Sequence, residues 1–260
     1  MGGSMCMAHR TYLNQFAMRP GKRALESAKT EAWILSQHAW SPMQIEILNG
    51  YLENLHYQSE RRKSLLRIIS REICAEPLML RCMTLLGIGT INAFALLAVI
   101  GDVRRFARPE KLAAYIGLNP GQRESGKGKN VKVGVGKRGR GDMRSLLIQA
   151  AQAVLRIGKN TPLGKWGWKL FARKGRRNIA VVAVARKLIV QVWHLLSGNP
   201  PAALEPDKSL KAKLERFTVE LGKSLREQQQ LPNNVNKCAL HLYSLLSSSA
   251  EKIAVYEQKT

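Results

Sequence analysis

The sequence predicts a mainly α chain, with a coiled-coil helix followed by a helical domain that carries a helix-hairpin-helix-like element and a small β-hairpin. Three observations carry this. Ile45, Leu48, Leu52, Leu55, Leu66, Ile69 and Ile73 fall on alternating steps of three and four, the seam spacing of a coiled coil. Apolar positions 143, 146, 147, 150, 151 and 154, and later Leu210, Leu214, Phe217, Leu221 and Leu225, keep helical spacing. The alternating run Val131, Val133, Val135 lies between glycines, as a short hairpin arm requires.

Taken in order, residues 1–40 are weakly patterned: Pro20-Gly21 marks a turn, and 23–35 fit a short helix. In the segment 41–76, Ser41 fits an N-cap and Pro42 the first helical position, and the pattern runs to Cys74, short of Pro77. Ser59 and Arg62 interrupt the seam, which marks a turn or a partner-specific contact. One long helix packed on its own domain fits this segment as well as a dimer coil does.

The segment 77–201 opens on Leu85-Leu86-Gly87-Ile88-Gly89, a turn leading into the apolar helix 90–100. Gly87 and Gly89 would let a phosphate approach the backbone at a helix N-terminus; a tight turn between core helices fits the same residues. Residues 109–116 form a short helix ended by Gly117. Asp142 is expected to cap a helix from 143 to about 157. Asn178 is expected to cap the apolar helix 179–196, which Gly198 and Pro200-Pro201 end. Residues 202–260 read as a helical appendage and tail.

Charge gives the first functional information. Lys and Arg number 42 against 18 Asp and Glu, a formal charge of +24. Such a surplus repels itself unless an anion neutralises it, so nucleic acid is the first expected partner and an anionic membrane surface the second. The excess is concentrated: residues 143–204 hold eleven Lys and Arg and no acid. The three aspartates, Asp102, Asp142 and Asp207, are too few and too scattered for a two-metal nuclease, which needs clustered carboxylates. Cys6, Cys74, Cys82 and Cys238 and five scattered histidines show no metal-site spacing, so no metal is expected on this chain. The N-terminus lacks a signal-peptide pattern. The apolar stretch 179–196 carries Arg186 and Lys187 at its centre, where two charges are too costly for a membrane span. The expectation is a cytoplasmic, nucleoid-associated protein.

Two stretches suit phosphate contact. Between Arg123 and Arg144 there are eight basic residues, two acids and six glycines; Arg123, Lys127, Lys129, Lys132, Lys137, Arg138, Arg140 and Arg144 are the candidates. The second runs from Lys165 and Lys169 through a basic loop of Arg173, Lys174, Arg176 and Arg177. Trp166, Trp168 and Phe171 lie among these cations, which suits a base stacked on a ring with its phosphate paired to Lys or Arg. Packing of the same aromatics against the core is the competing reading.

Taken together, several of these strings resemble one family. Leu85-Leu86-Gly87-Ile88-Gly89, Ile100-Gly101-Asp102, Arg105-Phe106, Leu112 to Pro120, Glu124-Ser125-Gly126, Gly141 to Leu147 and Ala183 to Leu188 stand in the order found in the C-terminal domain of the insertion-sequence 110/116/902 transposases. The resemblance covers about 78–200 closely; the helix 42–75 looks like the family's coiled-coil segment, and 15–40 match more weakly. It implies a DNA recombinase guided by a structured RNA, acting as a dimer or tetramer. By motif position Ser125 looks like the family's serine nucleophile, which attacks a phosphodiester and stores its bond energy as a phosphoserine ester. Gly126 and Gly128 would permit close backbone approach, and Arg123, Lys127, Lys129 and Lys132 would neutralise the phosphate oxygens. The family's acidic, magnesium-holding N-terminal domain has no counterpart here: no Asp precedes Asp102. The resemblance therefore implies a truncated transposase with magnesium bound outside this chain. A catalytically inactive nucleic-acid-binding remnant is the alternative. A basic protein of membrane surfaces or ribosomes ranks last, because it leaves the Gly-Ile-Gly and Glu-Ser-Gly elements without a purpose.

Overall fold

The computed structural model describes residues 12–16, 18, 27–125, 129–135, 139–198 and 207–257; at 28, 120–125, 129–135, 207 and 247–257 it describes the backbone alone. The fold is mainly α. Contacts divide the chain into two compact units, 1–66 and 67–260.

In the first unit, helix α1 (Ala28–Ser36) overlaps the stretch 23–35 expected to be helical and runs one residue past its end. Helix α2 (Pro42–Ala75) begins where the sequence placed it. Ser41 Oγ accepts the Gln44 N–H at 3.3 Å, and Gln44 Oε1 accepts the Ser41 N–H at 2.9 Å, a reciprocal capping box. Leu13, Met18, Ile34, Leu48 and Leu52 form a small core flanked by Tyr12, Phe16, Trp40 and Leu55. The Trp40 indole N–H reaches the Ile34 carbonyl at 3.2 Å, and its ring sits 4.7 Å from that of Phe16. Thus Leu48 and Leu52 of the seam are covered by their own chain. Helix α2 runs unbroken through Ser59 and Arg62, so the interruption of the seam marks no turn. Residues 60–65 are all exposed.

In the second unit, the end of α2 brings Ile73 into the main core. Helix α3 (Pro77–Cys82) leads through the Gly87-Ile88-Gly89 turn into α4 (Thr90–Ile100). After a 3₁₀ turn at Val103–Arg105 comes α5 (Pro109–Ile116), ended by Gly117. Strands β1 (Pro120–Ser125) and β2 (Lys129–Val135) pair antiparallel from Pro120↔Val135 to Ser125↔Lys129, with an irregularity at Pro120/Gly121. The valine alternation lies on the second strand; the partner comes from Gly121 to Ser125, where no alternation announces it. Helices α6 (Gly141–Ile157), α7 (Pro162–Lys174) and α8 (Arg177–Leu196) follow. Helix α8 packs against α3, α5, α6 and α7, burying Ala180, Val181, Val184, Ala185, Leu188, Ile189, Val192 and Leu195. It has the length and hydropathy of a membrane span, but here it is the core helix of the unit.

Three local expectations are corrected. Asp142 is not an N-cap: α6 starts at Gly141 with Arg140 at the cap, and Asp142 sits in the first turn, where an acid still complements the helix dipole. Asn178 is not a cap either. Gly175 turns the chain at φ +67° and Arg176 is extended, so residue 177 is already helical. The basic loop shrinks accordingly, because Arg173 and Lys174 form the last turn of α7.

Residues 202–260, read as an appendage, supply two helices, α9 (Asp207–Gln228, kinked at Gly222) and α10 (Val235–Glu257). Leu210, Leu214, Phe217, Cys238, Ala239, Leu242 and Leu246 join the main core. Lys213 Nζ donates to the Met83 and Leu85 carbonyls at 2.7 and 3.1 Å, and Thr90 Oγ1 donates to Glu220 Oε2 at 2.6 Å. Helix α9 therefore grips the Gly-Ile-Gly turn from both ends.

Gly87 has φ +86°, and a Cβ there would lie 2.6 Å from the Ala150 carbonyl oxygen. Gly87→Ala should therefore cost about 2–4 kcal/mol, from left-handed strain plus backbone overlap, read as a lowered midpoint in chemical denaturation. Phe217 is fully buried; Phe217→Ala should cost about 3–5 kcal/mol in the same assay. A loss below about 1 kcal/mol would show that α9 is not part of the folding unit.

Candidate nucleic-acid interface

Two basic surfaces emerge within the second unit. The first lies where the hairpin joins the helices. Arg140 N–H donates to the Tyr115 carbonyl at 3.3 Å, and Arg144 Nη1 to the Gly117 carbonyl at 3.4 Å. Beside them, the Arg105 guanidinium sits 4.6 Å from the Phe106 ring centroid and 5.0 Å from that of Tyr115. The two rings are 5.4 Å apart, and Trp193 Nε1 donates to the Phe106 carbonyl at 3.0 Å, tying the group to α8. Hydrogen bonding from Arg105, then from Arg140, holds the Tyr115 phenol below its ordinary range. Arg140 also forks onto Asp142, Nε to Oδ1 at 3.1 Å and Nη2 to Oδ2 at 2.7 Å. That hydrogen bond is the main cause that draws the Asp142 carboxyl down to about 2.

Ser125 is the last residue of β1 and pairs with Lys129 across residues 126–128, so its backbone lies at the tip of the hairpin. Arg123 is on β1, and Lys129 and Lys132 on β2. Lys127, Lys137 and Arg138 lie outside the described residues, as do Gly126 and Gly128.

The second surface is one face of α7. Thr161 caps this helix, its Oγ1 accepting the Gly164 N–H at 3.1 Å and donating to the Gly158 carbonyl at 2.6 Å. Gly164 and Gly167 are buried, Gly164 against Gly158 and Thr161 of the preceding turn. A Cβ on Gly167 would lie 2.6 Å from Leu155 Cδ2 and 2.7 Å from Val184 Cγ2, so only glycine lets α7 lie this close to α6 and α8. With that side packed, Lys165, Trp168, Lys169 and Arg173 share the opposite face by helical spacing, and all four are exposed. Lys159, Lys165, Trp168 and Lys169 line a cleft of ≈ 340 Å³. Trp166 is half-buried on the core, with Lys187 Nζ 4.2 Å from its ring. Lys174, Arg176 and Arg177 are exposed around the α7–α8 turn. Helix α8 starts with no side-chain cap and no acid in its first turn.

Gly87 faces the Ala150 backbone, while the Cβ direction of Gly89 is open. The close approach that Gly87 permits here is to the protein's own helix, and a carboxylate, Glu220, already bonds Thr90 at the start of α4. Sequence reasoning missed Lys159, and it missed Arg105 and Tyr115 as a cation–ring pair. Lys159 sits in a linker with no pattern of its own. Arg105 and Tyr115 meet only because α5 folds back. Among the described residues no three of His, Cys, Asp and Glu converge as a metal site would need.

Residues 80–163 match the Transposase IS116/IS110/IS902 family, a segment that runs from α3 to the first turn of α7. The chain is 40% identical over 119 residues to the transposase for insertion sequence element IS1111A of Coxiella burnetii, covering 45% of this chain and 32% of that protein. It is 32% identical over 200 residues to a probable family 20 transposase of Pseudomonas aeruginosa (75% of this chain, 58% of the relative). A third relative, the transposase for insertion sequence element IS1328 of Yersinia enterocolitica, is 27% identical over 173 residues (66% and 51%). The chain thus spans between a third and three fifths of the length of these relatives.

The Arg140–Asp142 fork gives a pH prediction. The folded carboxylate titrates at about 2 against an ordinary 3.8, so the pair's stabilisation is present above 3.8 and is lost as pH falls through about 2. An NMR titration of the Asp142 carboxyl carbon should show the low midpoint, and Arg140→Ala should return it towards 3.8.

Proposed function

We propose that this chain is the DNA-joining part of a transposase, with Ser125 as nucleophile and the basic surfaces of the hairpin and of α7 holding nucleic acid. The observation that carries this reading is the family match across 80–163, which includes the hairpin with Ser125 at the end of its first strand. Ser125 Oγ attacks a DNA phosphorus and gives up its proton. The new P–O bond replaces the bond to one sugar oxygen, which leaves as a hydroxyl after taking a proton. Attack on the phosphoserine by another sugar hydroxyl reverses these steps on a new strand, so no outside energy is needed. Arg123, Lys129 and Lys132 on the paired strands, with Arg140 and Arg144 at their base, are the groups assigned to the phosphate charge.

Duplex DNA and a structured guide RNA are the proposed partners. Phosphates at the α7–α8 turn meet Arg173, Lys174, Arg176 and Arg177 and the uncapped start of α8, an arrangement that favours anions. A second copy of the chain is the proposed partner of the middle of α2, where Tyr57, Leu65 and Ile68 are 66%, 45% and 48% exposed. The proposed setting is the bacterial nucleoid. Magnesium does not fit the described residues of this chain, which bring no ligand cluster together; in this reading it is held by carboxylates outside them. The same observation favours a second reading, in which the chain binds nucleic acid without cutting it.

Adduct trapping separates the two. The chain is incubated with labelled element-end DNA, guide RNA and magnesium, with and without a full-length relative, and then denatured. Retained label that Ser125→Ala abolishes is the expected result. Label held only under native conditions in every sample would leave the binding reading alone standing.

A further inference from the structure

The competing roles open to the aromatics of α7 divide between two neighbouring tryptophans. Trp166 is half-buried with the core, and its ring is covered by Lys187. Trp168 is 38% exposed, which is unusual for so large a ring. Its orientation is nevertheless fixed. The indole N–H donates to the Leu155 carbonyl at 2.8 Å, and Phe171 meets it edge-on at 5.6 Å and 72°. A ring held in place costs little entropy when something stacks on it.

We propose that the cleft lined by Lys159, Lys165, Trp168 and Lys169 seats one unpaired nucleotide, its base stacked on the Trp168 indole and its phosphate held by the lysines. This rests on the nucleic-acid reading above and names the form of strand that the site takes. Four observations converge on it. The cleft measures ≈ 340 Å³, within the range of small-ligand sites. Its lining residues are one tryptophan and three lysines, the combination that tracks a single strand: stacking for the base, charge for the backbone. Lys159 Nζ rests 5.4 Å from the Trp168 centroid, a weak cation–π contact at an exposed site. A base takes that position and frees the ammonium for its own phosphate. Finally, residues 143–204 contain no Asp or Glu, so no carboxylate from this stretch competes for the lysines. A base within a duplex is already stacked and does not offer its face.

The test uses the full chain with short oligo-dT, oligo-rU and a duplex of equal length, followed by tryptophan fluorescence and by anisotropy of a labelled strand. Single strands should quench the fluorescence. Trp168→Ala should weaken single-strand binding at least about fivefold and leave duplex binding unchanged. Trp168→Phe, which keeps a ring and lacks the N–H, should hold affinity within about twofold of the wild type while most of the quench disappears. Replacing Lys159, Lys165 and Lys169 together by Gln should reduce the salt slope for single strands by about two. A stronger effect on oligo-dT assigns the seat to a DNA strand, and on oligo-rU to the guide; either supports the proposal. Single-strand affinity untouched by Trp168→Ala, or lost equally for duplex and single strands with Trp168→Phe no better, would overturn it while leaving the nucleic-acid reading intact. Absence of binding to all three ligands by the wild-type chain would remove both.

Discussion

Helix α8 offers Ala180, Val181, Val184, Ala185, Leu188, Ile189, Val192 and Leu195 on one broad face, and α3, α5, α6 and α7 all pack on it. Each large aliphatic side chain removed from water there contributes about 1.5–3 kcal/mol. The small ones set distances: Ala180 and Ala185 keep the surface low. With Gly167 facing Val184, α7 can then sit close enough that its other face turns outward with fixed orientation. Trp193, on the same helix, reaches the Phe106 carbonyl and so fixes the Arg105–Tyr115 group beside the hairpin. Both basic surfaces therefore take their positions from one apolar helix. Its two central charges do not contradict that role, since Lys187 lies over the Trp166 ring at the edge of the packed face.

A chain with formal charge +24 folds against its own repulsion, and several of the acids it does carry form local ion pairs. Glu60 pairs with Lys63, Glu72 with Arg71 and Asp102 with Arg104. These are exposed pairs, screened by water and salt, and contribute little. Glu220 is used differently, bonding Thr90 at the start of α4, where an acid is favoured by the helix dipole. From Met143 through the end of α8 there is no acid at all. The repulsion left uncompensated along that stretch is the electrostatic term that a polyanion removes.

The helices were legible where apolar spacing and a breaker agreed. Pro109–Ile116 ends at Gly117, with φ +81°, and Ser41-Pro42 opens α2 with the capping bonds that its residue types imply. Cap identity was less legible at 142 and 178, because an Asp or Asn one residue inside a helix looks the same in sequence as one at its edge. The first hairpin strand was missed because Gly121 to Ser125 alternates nothing apolar; its partner supplies the pattern. The integration of α9 was hidden for another reason. Lys213 and Glu220 meet residues more than a hundred positions earlier, and no local periodicity reports such a contact. The sequence named Lys165 and Lys169 but left Trp166 and Trp168 equivalent. Only packing around Gly167 decides which ring turns inward.

An isolated two-stranded hairpin is marginally stable in water, and β1–β2 pairs only with itself among the described residues. Its firm attachments are at its base: the Arg140 N–H on the Tyr115 carbonyl and the Arg144 guanidinium on that of Gly117. On the proposed reading this makes Ser125 conditional on bound nucleic acid: the phosphates that the strand cations hold are the same ones that bring a scissile bond to the tip. Electrostatic preorganisation then resides at the arginine-rich base, next to the rigid helices. On the same reading the nucleophile is carried on the two-stranded arm, an element that is only marginally stable by itself.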